Sequence, residues 1–597
     1  MSIPNPDARH VDYRARPLCD VTYESATQSG LDPFIASLLA RRVRGFEGEL
    51  AEWLAPTLRA LPDPATLPDA SVAAERLATA VIEGECIGLC TDYDVDGITA
   101  HTLVRDALIH RFGHPASLVR PYIGHRLNDG YGLSDNVCRR ILDDQPCPAV
   151  IVTADCGTSD GPRIERLAAA GIDVIVTDHH GVPDAGIPAA ALATVNPSRA
   201  DSAFADPAIA GCAVAWFLMA QVRRVLVERG HLPANAPKLA DSLDLVALGT
   251  VADAVSLFSP TNRVLVTSGL SVLNARRRPC WSALAGLLNR TVFDVEDLGF
   301  QIGPRINARG RVADPMAALR FLAALDVATA REALAVLDED NRSRREIERR
   351  MVTTACRIAA DQLSDDTQVV CVYHDEFHPG VQGIVASRLL DRFGRVTAVL
   401  SPAAASDTVS GSLRSVDGVD IGAALRALAG RYPDILRRHG GHPKAAGVTL
   451  AREQLEPFRA ALAEEVRTQL GERRLRPVLW HDGVLGAPDR AVKTIDAMAA
   501  LTPYGRGFEA PQFVGEFDVS RVRAVGADPV HLSLSLIDGA QKLRAIWFRA
   551  LQNAGDPWPI AQGDRIECVY RLTRDTYRGG DAVQLTVENA RTKDANS

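Results

Sequence analysis

The segment Asp92-Tyr93-Asp94-Val95-Asp96-Gly97 places three aspartates at alternate positions just past an apolar run, CIGLC (86–90). Beyond a strand's end the chain turns, so the side chains need not keep alternating faces. At least two carboxylates can then converge on a hard cation, which takes oxygen ligands. The spacing also resembles the start of a calcium loop. That reading fails because Leu103, where the bidentate acid would fall, is apolar. Three more acidic sites follow. Asp155 comes after AVIVTA, Asp178-His179-His180 after DVIVT, and Asp253 lies in LGTVAD after the helical DSLDLVAL. A single aspartate at a strand end is ordinarily a helix cap. Four acidic sites in one stretch, one of them with two imidazoles, exceed what capping explains. Carboxylates with imidazole suit manganese or magnesium better than a thiolate zinc site.

The elements that must hold these residues can be read around them. Residues 1–75 form a helical lead-in, with apolar residues at helical spacing in LDPFIASLLARRV and a proline-punctuated connector, LPDPATLPD. Over 76–313 the pattern becomes strand–loop–helix, and CIGLC, AVIVTA, DVIVT and ALATV are apolar throughout. Such strands between helices imply a parallel sheet covered on both faces, and ligands bind beyond the carboxyl ends of its strands. The acidic sites fall there. Residues 314–365 read as a long connecting helix with a break near Ala328. A second α/β unit spans 366–470, with QVVCVY, VTAVL and TVSGSL as strands. In 471–597 the short strands HLSLSLID, KLRAIWF, DRIECVYRLTR and AVQLTVENA, with Gly-rich turns, suggest a small β-barrel of the OB-fold type. The fold class is therefore α/β with a C-terminal barrel.

Composition narrows the setting. The 597 residues are 47% hydrophobic and 23% charged, ordinary globular material with no low-complexity tract. The first residues lack the apolar core of a signal peptide. The longest apolar stretch, about Ala208 to Ala220, is too short for a bilayer and runs into Arg223 and Arg224. Eleven cysteines without a C-x-x-C pair fit a reducing compartment, with Cys86 and Cys90 as buried thiols. A cytoplasmic location is expected. The net charge of −8 excludes a uniformly basic coat but not a local basic groove.

Taken in order, Asp92–Gly97, Asp155, Asp178–His180 and Asp253 resemble the four motifs of the DHH phosphoesterase superfamily. HRLNDGYG (His125–Gly132), GPRINARGR (Gly303–Arg311), GIVASRL (Gly383–Leu389), Ser412-Leu413-Arg414-Ser415 and GGHPKAAG (Gly440–Gly447) are similar to segments of the RecJ nucleases within it. So are PYGRGFEAPQF, HLSLSLIDGAQKLRAIWF and YRLTRDTYRGGDAVQLTVE. Three positions depart from the pattern: Thr91 and Leu413 replace glycines, and Arg309 replaces a small residue.

The resemblance implies a parallel-sheet DHH domain, a connecting helix, a DHHA1 domain and an OB-fold. It implies a single-stranded-DNA-specific 5′→3′ exonuclease that releases 5′-mononucleotides and acts in recombination and DNA repair. Two ions, Mn²⁺ or Mg²⁺, would be held by Asp94, Asp96, Asp155, His179 and Asp253, with Asp155 bridging. Asp92 and Asp178 would orient their neighbours, and His180 would meet the scissile phosphate. Arg126, Arg305, Asn307, Ser412, Arg414 and His442 would bind DNA phosphates, and Trp547, Phe548, Tyr570 and Tyr577 are candidates for base stacking in the barrel. The partners implied are single-stranded DNA, a single-strand binding protein and a RecQ-type helicase, with no membrane and a monomeric chain. Two other readings compete: a phosphodiesterase for oligonucleotides or cyclic dinucleotides, and a non-catalytic nucleic-acid-binding scaffold.

Overall fold

A computed structural model describes residues 11–44, 50–125, 129–312, 315–364, 366–403, 407–473, 475–527, 529–551 and 554–593; the side chains of 311–312 lie outside this description. The chain divides into two compact units. One contains strand β1 (Asp12–Ala15), the helices Asp20–Gln28 and Pro33–Ala40, and most of the chain from Arg344 onward; the other, which carries the acidic motifs, spans Glu47–Ser343 and takes in Pro503–Glu509. The lead-in of 1–75 is thus shared between the units.

The unit that carries the acidic motifs is built on β2 (Ile87–Thr91), β3 (Val119–Ile123), β4 (Val150–Ala154), β5 (Asp173–Thr177) and β6 (Ala193–Val195). All are parallel, in the order β3-β2-β4-β5-β6. The side chains of β2 and β4 are buried on both faces. On one face lie the helices Ala70–Glu83, Val95–Asp106, Gly211–Glu228 and Leu243–Ala252. On the other lie Asp135–Asp143 and Gly161–Ala169, through Val137, Ile141, Ile164 and Leu167. This is the two-sided covering that apolar strands demand, since a parallel strand has no solvated face.

The expected long helix is two: Met316–Leu322 and Val327–Ala360. The interruption at 323–326 ends where Asp326 accepts hydrogen bonds from Thr329 and restarts the helix. The second sheet has β7 (Val369–Tyr373), β8 (Val396–Pro402), β9 (Thr408–Arg414), β10 (Arg438–Gly441) and β11 (Ala445–Ala451), in the order β10-β11-β9-β8-β7. Only β7 and β8 pair in parallel. β12 (Val478–His481) pairs with β1. β13 (Phe513–Val525), β14 (His531–Asp538), β15 (Gln541–Trp547), β16 (Arg565–Arg574) and β17 (Val583–Thr592) form a closed barrel, with β15 and β17 pairing in parallel. Its interior holds Phe513, Phe517, Leu534, Trp547 and Tyr570. Among the described residues no helix is long and apolar enough to cross a membrane.

Candidate metal centre

Strand register creates the site. β2, β4 and β5 are neighbours, and Thr91 pairs with Ala154, which pairs with Thr177. The next residue of each strand is therefore an aspartate at the same level: Asp92, Asp155 and Asp178. Adjacent strands stand about 4.8 Å apart, so three carboxylates project from one edge. Each backbone N–H continues the ladder, Asp92 to Ala154, Asp155 to Thr177 and Asp178 to Val195.

The other carboxylates come from helix ends. Asp94 caps Val95–Asp106, its Oδ1 accepting from Gly97 N–H at 3.1 Å. Asp96 sits in the first turn of that helix. Its two oxygens accept from the N–H groups of Gly211 and Cys212 at 2.6 and 3.0 Å, at the start of helix Gly211–Glu228. Asp253 closes helix Leu243–Ala252. The helices approach closely at Gly249, where a Cβ would fall 2.5 Å from both Cys212 Sγ and Thr99 Oγ1 and 2.6 Å from Asp96 Oδ1.

His179 ties the sets together. Its Nε2 lies 3.2 Å from Asp155 Oδ1, 3.7 Å from Asp253 Oδ2 and 4.0 Å from Asp96 Oδ2. Three overlapping groups each keep their ligand atoms within 4.8 Å: Asp92, Asp94 and Asp155; Asp96, His179 and Asp253; Asp155, His179 and His180. Among the described residues, Asp155 Oδ1 and His179 Nε2 are buried and find no hydrogen-bond partner. Buried polar atoms are rarely left so. Two such atoms facing each other among carboxylates are what a hard cation satisfies, and the oxygen-rich donor set fits Mn²⁺ or Mg²⁺. The residues present fit the group.

The titration behaviour follows from this crowding. Burial, then the charges of Asp96, Asp94, Asp92 and Asp253, hold Asp155 well above the usual carboxylate range. Burial and neighbouring carboxylates likewise raise Asp96 and push Asp253 up to about 8. Asp178 differs. Burial would raise it, but His180 and Thr158 outweigh that and hold it well below the usual range. Its oxygens accept from the N–H groups of Thr158, His179 and His180 and from the His180 ring, Nδ1 to Oδ1 at 2.7 Å. For His180, burial opposes charge, yet Asp178 prevails and pushes it up to about 9. His180 is half-buried, with its ring against the Asp178 carboxylate that favours its charged form.

Two residues that sequence reasoning missed complete the site. Tyr131 Oη donates to Asp155 O at 2.8 Å and lies 3.2 Å from His180 Nδ1. Asn196, fully buried just after β6, donates to His180 O and Thr158 Oγ1 and so fixes the loop carrying both histidines. Neither contact is local in sequence; a tyrosine between glycines and a Val-Asn-Pro after a strand were the available signals.

The expected phosphate-binding residues fall in different places. Arg126 lies outside the described residues. Asn307 Oδ1 accepts from Val95 N–H at 3.1 Å and so buttresses the Asp92–Gly97 segment. Arg305, in the same helix, is buried and paired with Asp338 at 2.9 Å. Its guanidinium ties two helices, the salt-bridge role that competes with phosphate binding. Ser412 and Arg414 lie on β9 of the second sheet, and Arg414 pairs with Ala445 beside the hairpin tip that holds His442. A Cβ on Gly383 would lie 2.9 Å from Arg414 Nη2 and 3.5 Å from Ser412 Oγ. The absent side chain lets that guanidinium lie over the start of helix Gln382–Phe393, a corner suited to an anion. In the barrel, Trp547 and Tyr570 are core residues and cannot stack on bases, whereas Phe548 and Tyr577 are exposed.

Comparison with known proteins gives one consistent picture. Family models match residues 86–250 (DHH family, N-terminal domain), 366–468 (DHHA1 domain) and 481–589 (RecJ OB domain). The single-stranded-DNA-specific exonuclease RecJ of Dickeya dadantii is 35% identical over 542 residues, 89% of this chain and 92% of that one. The structure resembles RecJ from Thermus thermophilus in complex with Mn²⁺, at 26% identity and a TM-score of 0.77, over 98% of this chain and 80% of that one. The Mg²⁺ complex of the same protein gives 25% and 0.72, over 98% and 79%.

Proposed function

The chain belongs to the RecJ family of DHH phosphoesterases, and we propose that it is a single-stranded-DNA-specific exonuclease that removes 5′-mononucleotides in the 5′→3′ direction. One observation carries this reading: the register that aligns Asp92, Asp155 and Asp178 beside His179, with buried atoms of Asp155 and His179 that lack hydrogen-bond partners among the described residues.

Asp94, Asp96, Asp155, His179 and Asp253 would hold two ions; Asp155 and His179 each belong to two of the overlapping groups. Bound divalent ions supply Lewis-acid activation of water and neutralise charge developing on the phosphate. The remaining work falls to the chain itself. Asp178 accepts four hydrogen bonds and cannot easily also serve as a ligand; it orients His180. His180, whose charged form Asp178 favours, could donate a hydrogen bond to the phosphate and a proton to the departing 3′-oxygen. Tyr131 holds the Asp155 carbonyl and limits the swing of His180. On the second sheet Ser412, Arg414 and the helix start at Gly383 would receive a terminal 5′-phosphate, and that contact would set direction. Phe548 and Tyr577 offer ring faces for sequence-tolerant stacking. The family reading extends to a cytoplasmic monomer working with a single-strand binding protein and a RecQ-type helicase.

The test uses 5′- and 3′-labelled single-stranded DNA in Mn²⁺. Mononucleotides should leave the 5′ end, blunt duplex should persist, and Asp155→Ala should be inactive. A protein that spares long DNA but cleaves dinucleotides would be an oligonucleotide phosphodiesterase. One that cleaves neither with any divalent ion would be a binding scaffold.

A further inference from the structure

Residues Pro503–Glu509 come from the barrel end of the sequence but pack with the catalytic unit. The segment folds back on itself. Gly505 N–H donates to Phe508 O at 2.9 Å, and Phe508 N–H returns to Gly505 O at 3.1 Å. Tyr504 and Phe508 stack at 5.7 Å, and the buried Phe508 meets Trp53 edge-on at 5.0 Å. The buried Arg263 lies 3.7 Å over the Trp53 ring and donates to Pro503 O at 3.2 Å. The turn is thus clamped at its base.

Its apex meets the loop that follows Asp253. Leu257 N–H donates to Arg506 O at 2.8 Å. A Cβ at Gly505 would lie 2.6 Å from Leu257 Cδ1, and one at Gly507 2.3 Å from Ser256 Oγ, with Gly507 at φ +74°. The two glycines let the turn sit close on the loop, Gly507 with a backbone that favours glycine, and between them residue 506 carries the side chain at the apex. Arg506 is exposed, and among the described residues its guanidinium has no hydrogen-bond or ion-pair partner. The backbone on either side of it is fixed against Ser256 and Leu257, in the loop that leaves Asp253. The turn thus holds an exposed arginine against the loop that follows Asp253 and leaves its guanidinium open. A DNA strand approaching this cluster of aspartates brings a further negative charge with every nucleotide, and a guanidinium fork is suited to receiving a phosphate.

We propose that Arg506 is a substrate-binding residue that holds a backbone phosphate of the DNA strand on the Asp253 side of the metal centre. The 503–509 turn thereby delivers a substrate contact to a site otherwise built from the α/β sheet. This rests on the exonuclease reading for its substrate.

The experiment compares wild type, Arg506→Ala and Arg506→Lys. Affinity for a 5′-phosphorylated single-stranded oligonucleotide is measured by fluorescence anisotropy across a salt series, with Ca²⁺ in place of Mn²⁺. Exonuclease kinetics are measured in parallel in Mn²⁺. Arg506→Ala should weaken binding about tenfold and reduce the slope of log affinity against log salt by about 0.7, the loss of one phosphate contact to a single strand. Arg506→Lys should keep the slope, and the kinetic loss should fall on KM. Wild-type affinity and slope in Arg506→Ala, or a loss confined to kcat, would overturn the proposal. If wild type degrades DNA and Arg506→Ala binds as well as wild type, the contact is refuted and the exonuclease reading stands. If binding depends on Arg506 but wild type degrades nothing, the contact stands and that reading falls.

Discussion

Replacing Asp155 with asparagine should stabilise the metal-free protein while abolishing its nuclease activity. Asparagine suits the position because Asp155 sits at φ +60°, a region that asparagine enters more readily than most residues. The residue is 2% exposed and has side-chain oxygens within 4.8 Å of those of Asp92 and Asp94. Two like charges at that separation repel by about 3–4 kcal/mol at an effective dielectric of about 20. Part of that repulsion is already relieved by protonation, since Asp155 is held above the ordinary carboxylate range. The expected net gain is therefore about 1–3 kcal/mol, or roughly 2–8 °C in the melting of the catalytic unit. Added Mn²⁺ should reverse the order. At a hundredfold excess over its Kd an ion stabilises wild type by about 2.7 kcal/mol, and the variant has lost the carboxylate that two ligand groups share. The assay is scanning calorimetry of both proteins in EDTA and in Mn²⁺. An Asp155→Asn protein that melts below wild type in EDTA, or that gains equally from Mn²⁺, would refute the argument that these carboxylates are arranged for a cation.

Gly249→Ala should cost about 1–3 kcal/mol by overpacking and lose activity even where the protein remains folded, because the added carbon falls 2.6 Å from Asp96 Oδ1; circular dichroism and single-turnover rates separate the two effects. Burial pulls His101, 3.2 Å from Thr91 Oγ1, down to about 3. Below the ordinary histidine range the unfolded chain binds a proton that the folded chain refuses, so stability falls as pH drops from about 6.5 towards 3, by about 2 kcal/mol at pH 5. Urea unfolding of wild type and His101→Asn at pH 7 and pH 5 should show that loss shrinking in the variant. In the barrel, Trp547→Ala should cost about 3–5 kcal/mol as a core deletion, whereas Phe548→Ala, at a residue 49% exposed, should leave melting unchanged and weaken single-strand affinity by about 1–3 kcal/mol. Equal effects of the two substitutions on melting would contradict the burial of Trp547 and the exposure of Phe548.

What the sequence disclosed and what it withheld divide along a physical line. β2, β4 and β5 were legible because strands buried on both faces are written as unbroken apolar runs, and their terminal aspartates were conspicuous for the same reason. β3 was not, because Arg120 and Pro121 interrupt it. Pro121 lacks the N–H that a central strand must donate, so its presence argued against a strand; the sheet accepts it because β3 lies at the edge. β10 was illegible for a different reason. Arg438, His439, Gly440 and Gly441 are all exposed, and the strand exists only because β11 pairs with it. Within the site, residue type and strand-end position identified the ligand candidates, but the division of labour did not follow from either. Asp92, Asp155 and Asp178 are equivalent in sequence, yet Asp178 is surrounded by N–H donors while Asp155 faces other carboxylates. That difference is set by Thr158, by Asn196 and by where the next helices begin. Arg305 shows the reverse: a motif arginine whose fate was decided by Asp338, a partner on a helix thirty-three residues away. Side-chain chemistry is local and can be read along the chain, whereas the charge and hydrogen-bond state of each group depends on neighbours that only the fold supplies. The 503–509 turn is the extreme case, for nothing in its sequence says that it packs beside Asp253 rather than in the barrel that follows it.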